Sequence, residues 1–134
     1  MIRTVAGTRA GLAGLALAAA SPVLGCGHCI EDRVAAVYDH AVVTAALDKR
    51  HQIAFLAIEG RLSTASEARR ILAESLARAK GVDARSLRIS MDSASLSIAY
   101  DAKRVSSEQI VAALNRTLEA RSLSVSLLKV MEPR

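Results

Sequence analysis

Leu87-Arg88-Ile89-Ser90-Met91-Asp92-Ser93-Ala94-Ser95-Leu96-Ser97-Ile98-Ala99-Tyr100 is the stretch on which the fold turns. Leu87, Ile89 and Met91 alternate with polar residues, and Leu96, Ile98 and Tyr100 alternate with Ser97 and Ala99. Period-two patterning on both sides of Asp92-Ser93-Ala94-Ser95 predicts two strands joined as a hairpin. Helical signals flank the pair. Upstream, Thr64 and Glu67 stand at the spacing of a capping box within Ser63-Thr64-Ala65-Ser66-Glu67. There a hydroxyl and a carboxylate satisfy free amides at a helix start. Ala68, Ile71, Leu72, Leu76 and Ala79 then form an apolar stripe, and Gly81 is the expected stop. Downstream, Ser106 and Gln109 repeat the capping spacing ahead of Ile110, Val111, Leu114 and Leu118.

Two further strands complete the series. Gln52 to Ile58 (QIAFLAI) is short, apolar throughout and ended by Gly60, as a buried strand would be. Leu123, Val125 and Leu127 alternate with serines before Pro133 closes the chain. The order β-α-β-β-α-β predicts an α+β, ferredoxin-like sandwich: a four-stranded antiparallel sheet with both helices on one face. Ile30 to Leu47 predicts one extra N-terminal helix, with Ile30, Val34, Val37, Tyr38, Ala41 and Ala45 on a single face. It would cover the open sheet face or an edge strand.

From about residue 52 to 130 the chain resembles heavy-metal-associated domains, small copper- and mercury-handling modules. The resemblance lies in a strand ending at Gly60, a helix running to Gly81-Val82, a hairpin ending in Tyr100-Asp101, and the segment Val105-Ser106-Ser107-Glu108-Gln109-Ile110-Val111-Ala112-Ala113-Leu114. It implies a metal-binding loop of the form Gly-Met-x-Cys-x-x-Cys. The corresponding residues are Gly60-Arg61-Leu62-Ser63-Thr64-Ala65-Ser66, so both cysteine positions, Ser63 and Ser66, are serine. A neutral hydroxyl is a poor ligand for soft ions that thiolates suit. Ser63 and Ser66 read as helix-cap residues, and the fold analogy survives without its inherited site.

Residues 1–25 read as an address. Arg3 and Arg9 form a positive start, Ala10 to Ala20 an uncharged run, and Ala18 and Ala20 an A-x-A cleavage site. That is the pattern of a secretory signal peptide, which predicts export to a periplasmic or other extracytoplasmic compartment. Val23-Leu24-Gly25-Cys26 also resembles a bacterial lipoprotein box, which would anchor the chain through an acylated Cys26. The uncharged stretch from Ala10 to Gly25 is 16 residues, short of the roughly 20 of a spanning helix, and Pro22 interrupts it.

Composition narrows the rest. The chain has 134 residues, too few for a second independent domain to be expected. Only 2% are aromatic, which argues against a base-stacking platform for nucleic acid. Loss of Arg3 and Arg9 leaves sixteen basic against thirteen acidic residues, a net charge of +3, too mild to argue for nucleic acid or an anionic membrane. Two cysteines exclude a multi-disulfide framework and a four-cysteine zinc site.

Those cysteines stand at Cys26-Gly27-His28-Cys29, immediately before the first predicted helix. Two thiols three apart at a helix start can chelate one ion, with His28 adding an imidazole between them. The expectation is a transition-metal site, for copper or zinc, made by Cys26, Cys29 and His28, with His40 and His51 as remote candidates. A metal chaperone or sequestration protein of this kind is not an enzyme, and a protein partner would receive its ion. Two alternatives stay open. CGHC is also the redox motif of protein disulfide isomerases, so a thiol-disulfide oxidoreductase is the runner-up. A non-metal interaction module stapled by a local Cys26–Cys29 disulfide is the other. The sequence offers no phosphate loop and no nucleophile elbow.

Overall fold

Residues 29–61 and 64–134 are described by a computed structural model. The predicted signal segment 1–25, Cys26, His28 and Ser63 lie outside them. In chain order the elements are α1 (Ile30–Ala36), α2 (His40–Asp48), β1 (Gln52–Gly60), α3 (Ala65–Ala77), β2 (Val82–Ser90), β3 (Ser95–Tyr100), α4 (Ser107–Leu118), a single 3-10 turn (Glu119–Arg121) and β4 (Leu123–Met131). The strands form one sheet in the order β2-β3-β1-β4, with every pairing antiparallel. This is the ferredoxin-like α+β sandwich, with an added layer of two short helices.

Burial along β1 explains its unbroken apolar run. Ala54, Leu56 and Ile58 point into a core with Ile71, Leu72 and Leu76 of α3 and Ile110, Leu114 and Leu118 of α4. Ile53 and Phe55 point the other way and pack with Val34, Val37, Val43 and Ala46 of the N-terminal segment. A strand covered on both faces has no solvent side to mark with polar residues. The same holds for β3, which is buried along its whole length. Its serines are not on a wet face: Ser95 Oγ donates to the Arg33 carbonyl at 2.9 Å and Ser97 Oγ to the Val37 carbonyl at 2.8 Å.

Both predicted helix starts are present. Ser106 Oγ accepts from the Gln109 amide at 3.2 Å while Gln109 Oε1 accepts from the Ser106 amide at 2.9 Å, a full capping box. At α3, Thr64 is the N-cap and its Oγ1 accepts from the Glu67 amide at 3.2 Å. The Glu67 carboxylate stands 3.7 Å from Arg121 Nη1.

The single helix expected over Ile30–Leu47 is two. Asp39 is extended (φ −118°, ψ 110°) and caps α2, its Oδ1 accepting from the amides of Ala41 at 3.0 Å and Val42 at 3.2 Å. Its Oδ2 accepts from Arg88 Nε at 2.9 Å. An aspartate that can bind the amides ahead of it competes with helix continuation. The break shifts the buried face from the expected Ala41 and Ala45 to Val43 and Ala46, and leaves Ile30 and Tyr38 exposed. Leu127 is a second correction. The β1–β4 register slips at Phe55/Leu56, which ends the alternation of β4. Leu127 is therefore 40% exposed, and Leu128 packs on the N-terminal layer instead. A third is that β2 starts at Val82, before the expected Leu87, and carries a slip between Asp83 and Arg88. Ser86 Oγ fills that gap by accepting the Ala99 amide at 2.7 Å.

Two predictions follow from these contacts. Gly60 has φ +109°, and a Cβ there would collide with the Ser122 carbonyl oxygen. Gly60→Ala should lower unfolding free energy by about 1–3 kcal/mol or more in urea melts. Arg88, before the backbone amides, holds the Asp39 carboxyl below its ordinary value. A lowered folded value adds stability above the ordinary carboxylate range that disappears as pH falls through the folded value. The melting-temperature gap between wild type and Asp39→Asn should thus be full near pH ~6 and close toward pH ~3.

Candidate metal centre

Cys29 is the N-cap of α1 and is exposed. Its side chain makes no capping hydrogen bond, while its carbonyl accepts from the Arg33 amide at 3.1 Å. Glu31 and Asp32 occupy the first turn of α1, so negative charge borders the thiol. That surrounding suits a cation.

The position of Cys29 in the sandwich follows from how α1 docks. Ser95 and Ser97 hold the carbonyls of Arg33 and Val37, so α1 runs alongside β3 in the same direction. Arg33 Nε donates to the Ser93 carbonyl at 3.1 Å, at the β2–β3 turn. Cys29, one turn earlier, therefore lies at or past the end of the sheet where β3 begins. Ala57 pairs with Ser95 there, and the Ala94 carbonyl accepts from the Ile58 amide at 2.7 Å. Thus the start of α1, the β2–β3 turn and the Gly60 end of β1 share one end of the molecule. Cys29 lies on the α1 side of the sheet and the Gly60–Thr64 loop leads to α3 on the other.

Gly60, at the start of that loop, has a positive φ, and the close approach of Ser122 leaves no room for a Cβ. Thr64 caps α3, and its Oγ1 is 3.2 Å from Ser66 Oγ. The cap is Thr64 rather than Ser66, so the hydroxyls at this end serve the helix start.

The remote histidines do not join Cys29. His40 opens α2 and is exposed, its ring 6.5 Å from that of Tyr38 with the planes tilted by 37°. His51 precedes β1, whose first residue Gln52 pairs with Tyr100, at the opposite end of the sheet. Its Nδ1 is buried without a hydrogen-bond partner. Among the described residues no three or more His, Cys, Asp or Glu side chains come together as a metal set. Cys26 and His28 of the CGHC segment lie outside the described residues. Sequence reasoning missed the Asp39–Arg88 pair, which joins residues 49 apart along the chain. A helix-breaking aspartate without a second hydroxyl-bearing cap signal gave no warning of it.

No protein-family model matches the chain, and no curated protein matches it. Solved structures that are similar to it include a copper-binding domain from HMA7, a P-type ATPase, at 13% identity over 59% of this chain and 96% of that one, with a TM-score of 0.48. The N-terminal domain of a potential copper-translocating P-type ATPase from Bacillus subtilis, in its Cu(I)-loaded state, shares 20% identity over 60% of this chain and 91% of its own, with a TM-score of 0.49. Oxidized MerP from Ralstonia metallidurans CH34 shares 13% identity over 59% and 99%, with a TM-score of 0.47. The ferredoxin-like assignment itself rests on strand order and register.

Proposed function

We propose that this chain is an exported metal-binding protein that captures a soft or borderline transition metal, copper or zinc, with Cys26, Cys29 and His28. The observation that carries the reading is the exposed Cys29 at the start of α1, set at the end of the sandwich by the Ser95 and Ser97 hydrogen bonds. Thiolates three residues apart with an imidazole between them form a short chelate loop, and soft ligands favour Cu(I) or Zn(II) over hard cations. The ion is cargo here, held at the surface, from which it can pass to a protein partner. Export follows from the charged start and apolar run of residues 1–25. No helix among the described residues is long and apolar enough to cross a membrane.

The frame also favours metal capture over dithiol exchange. A CxxC pair reads as thioredoxin-like when it accompanies a parallel βαβ unit. Here every strand pairing is antiparallel, and the motif precedes the sheet's first strand.

The test is equilibrium competition of the reduced full chain against a chelator for Cu(I) and for Zn(II). Cys26→Ser/Cys29→Ser should weaken binding by roughly 100-fold or more, and His28→Ala by less. Unchanged affinity in the double variant would remove the thiols from the site.

A further inference from the structure

The end of the sheet opposite Cys29 carries a second feature, independent of the thiols. A cleft of about 430 Å³ opens where the starts of β1 and β2 meet the loop after β3. Lys49, Arg85 and Arg104 line it, with His51, Asp83 and Asp101. The carboxylates are engaged by their own loops: Asp83 Oδ1 accepts from the Arg85 amide at 3.1 Å, and Asp101 Oδ1 from the Lys103 amide at 3.0 Å. None of the three cations is in an ion pair among the described residues, whereas Arg70, Arg88 and Arg121 all are. His51 Nδ1 is buried beside them with no partner. Buried polar atoms are nearly always satisfied, so an orphan bordering a cleft points to a missing hydrogen-bonding group. Arg50, between Lys49 and His51, has a left-handed φ of 60° because it closes α2: its amide donates to the Leu47 carbonyl at 2.9 Å and the His51 amide to the Ala46 carbonyl at 2.9 Å.

The cleft does not end at its charges. It shares Lys49, Asp83 and Arg85 with a trough of about 270 Å³ between α2 and the edge strand β2. Ala41, Val42 and Ala45 form the apolar wall of that trough. A cationic mouth opening onto an apolar trough matches a ligand with one acidic group and a short hydrocarbon tail. Three cations against two carboxylates leave a net charge of about one unit at the mouth, which suits a monoanion better than a polyphosphate.

We propose that this groove binds a small aliphatic monocarboxylate. Its carboxylate would sit among Lys49, Arg85 and Arg104 and accept a hydrogen bond from His51 Nδ1, while its chain covers the Ala41–Ala45 wall. Charge draws the head in, and apolar contact selects the tail.

NMR titration of the full chain with hexanoate and, separately, acetate tests this. Hexanoate should shift the His51 ring and Ala45 signals saturably, with at least tenfold tighter binding than acetate. Lys49→Gln/Arg85→Gln/Arg104→Gln should abolish the shifts, and a charge-matched Arg61→Gln/Arg69→Gln/Arg116→Gln control should retain them. Should the first triple variant not fold, Ala45→Glu at the exposed trough wall must weaken hexanoate at least tenfold. No saturable shift at His51, equal affinity for acetate, equal loss in the control variant, or full binding by Ala45→Glu would each overturn the proposal.

Discussion

Two serine hydroxyls on β3 decide where the N-terminal segment of this protein lies. A four-stranded sheet has two faces, and α3 and α4 cover only one of them. The other presents Ile53, Phe55 and Ala99, which need an apolar cover. Burying a side chain such as Phe55 or Ile53 is worth about 1.5–3 kcal/mol, against roughly 0.5–1.5 kcal/mol for a neutral hydrogen bond. Apolar burial therefore supplies most of the docking energy. It is non-directional, however, and would tolerate α1 in several orientations. The Ser95–Arg33 and Ser97–Val37 bonds select one, with the helix running alongside β3. From that choice follow the placement of Cys29 at one end of the sheet, and of α2 beside β2 at the other.

Much of this architecture was legible in the residues. The Leu87–Tyr100 alternation, the Ser106/Gln109 box and the Thr64 cap all act locally, within a few residues of where they are written. The apolar run of β1 was legible for a different reason, since a strand covered on both faces has nothing polar to show. What escaped was non-local. Ser95 and Ser97 alternate with apolar neighbours and so resemble a solvent face, yet both are buried because carbonyls 60 or more positions away accept from them. Asp39 breaks a helix whose periodicity runs through it, and its partner Arg88 belongs to β2. Leu127 obeys its alternation in sequence and violates it in space because the ladder slips beside it. The CGHC motif was plain as chemistry, but the place of Cys29 at the Gly60 end depended on those same hidden serines.

Packing, rather than any site chemistry, accounts for Gly60. The glycine has a packing reason to be there, since Ser122 leaves no room for a Cβ. The residues that follow it offer hydroxyls, which hold helix starts well and soft metals poorly. The conformation of Gly60 thus has a cause independent of any metal chemistry. Cys29 lies at the same end of the sheet on the α1 side, exposed and with no side-chain cap hydrogen bond at the start of its helix. Loss of the cysteines should therefore cost binding without costing the fold.

The most direct test of that account is X-ray absorption spectroscopy at the zinc edge of the reduced, Zn(II)-loaded full chain. Ligation by Cys26 and Cys29 predicts two sulfur scatterers at about 2.3 Å, with lighter nitrogen or oxygen ligands completing the shell at about 2.0–2.2 Å. A first shell of nitrogen and oxygen alone, with no sulfur, would contradict it.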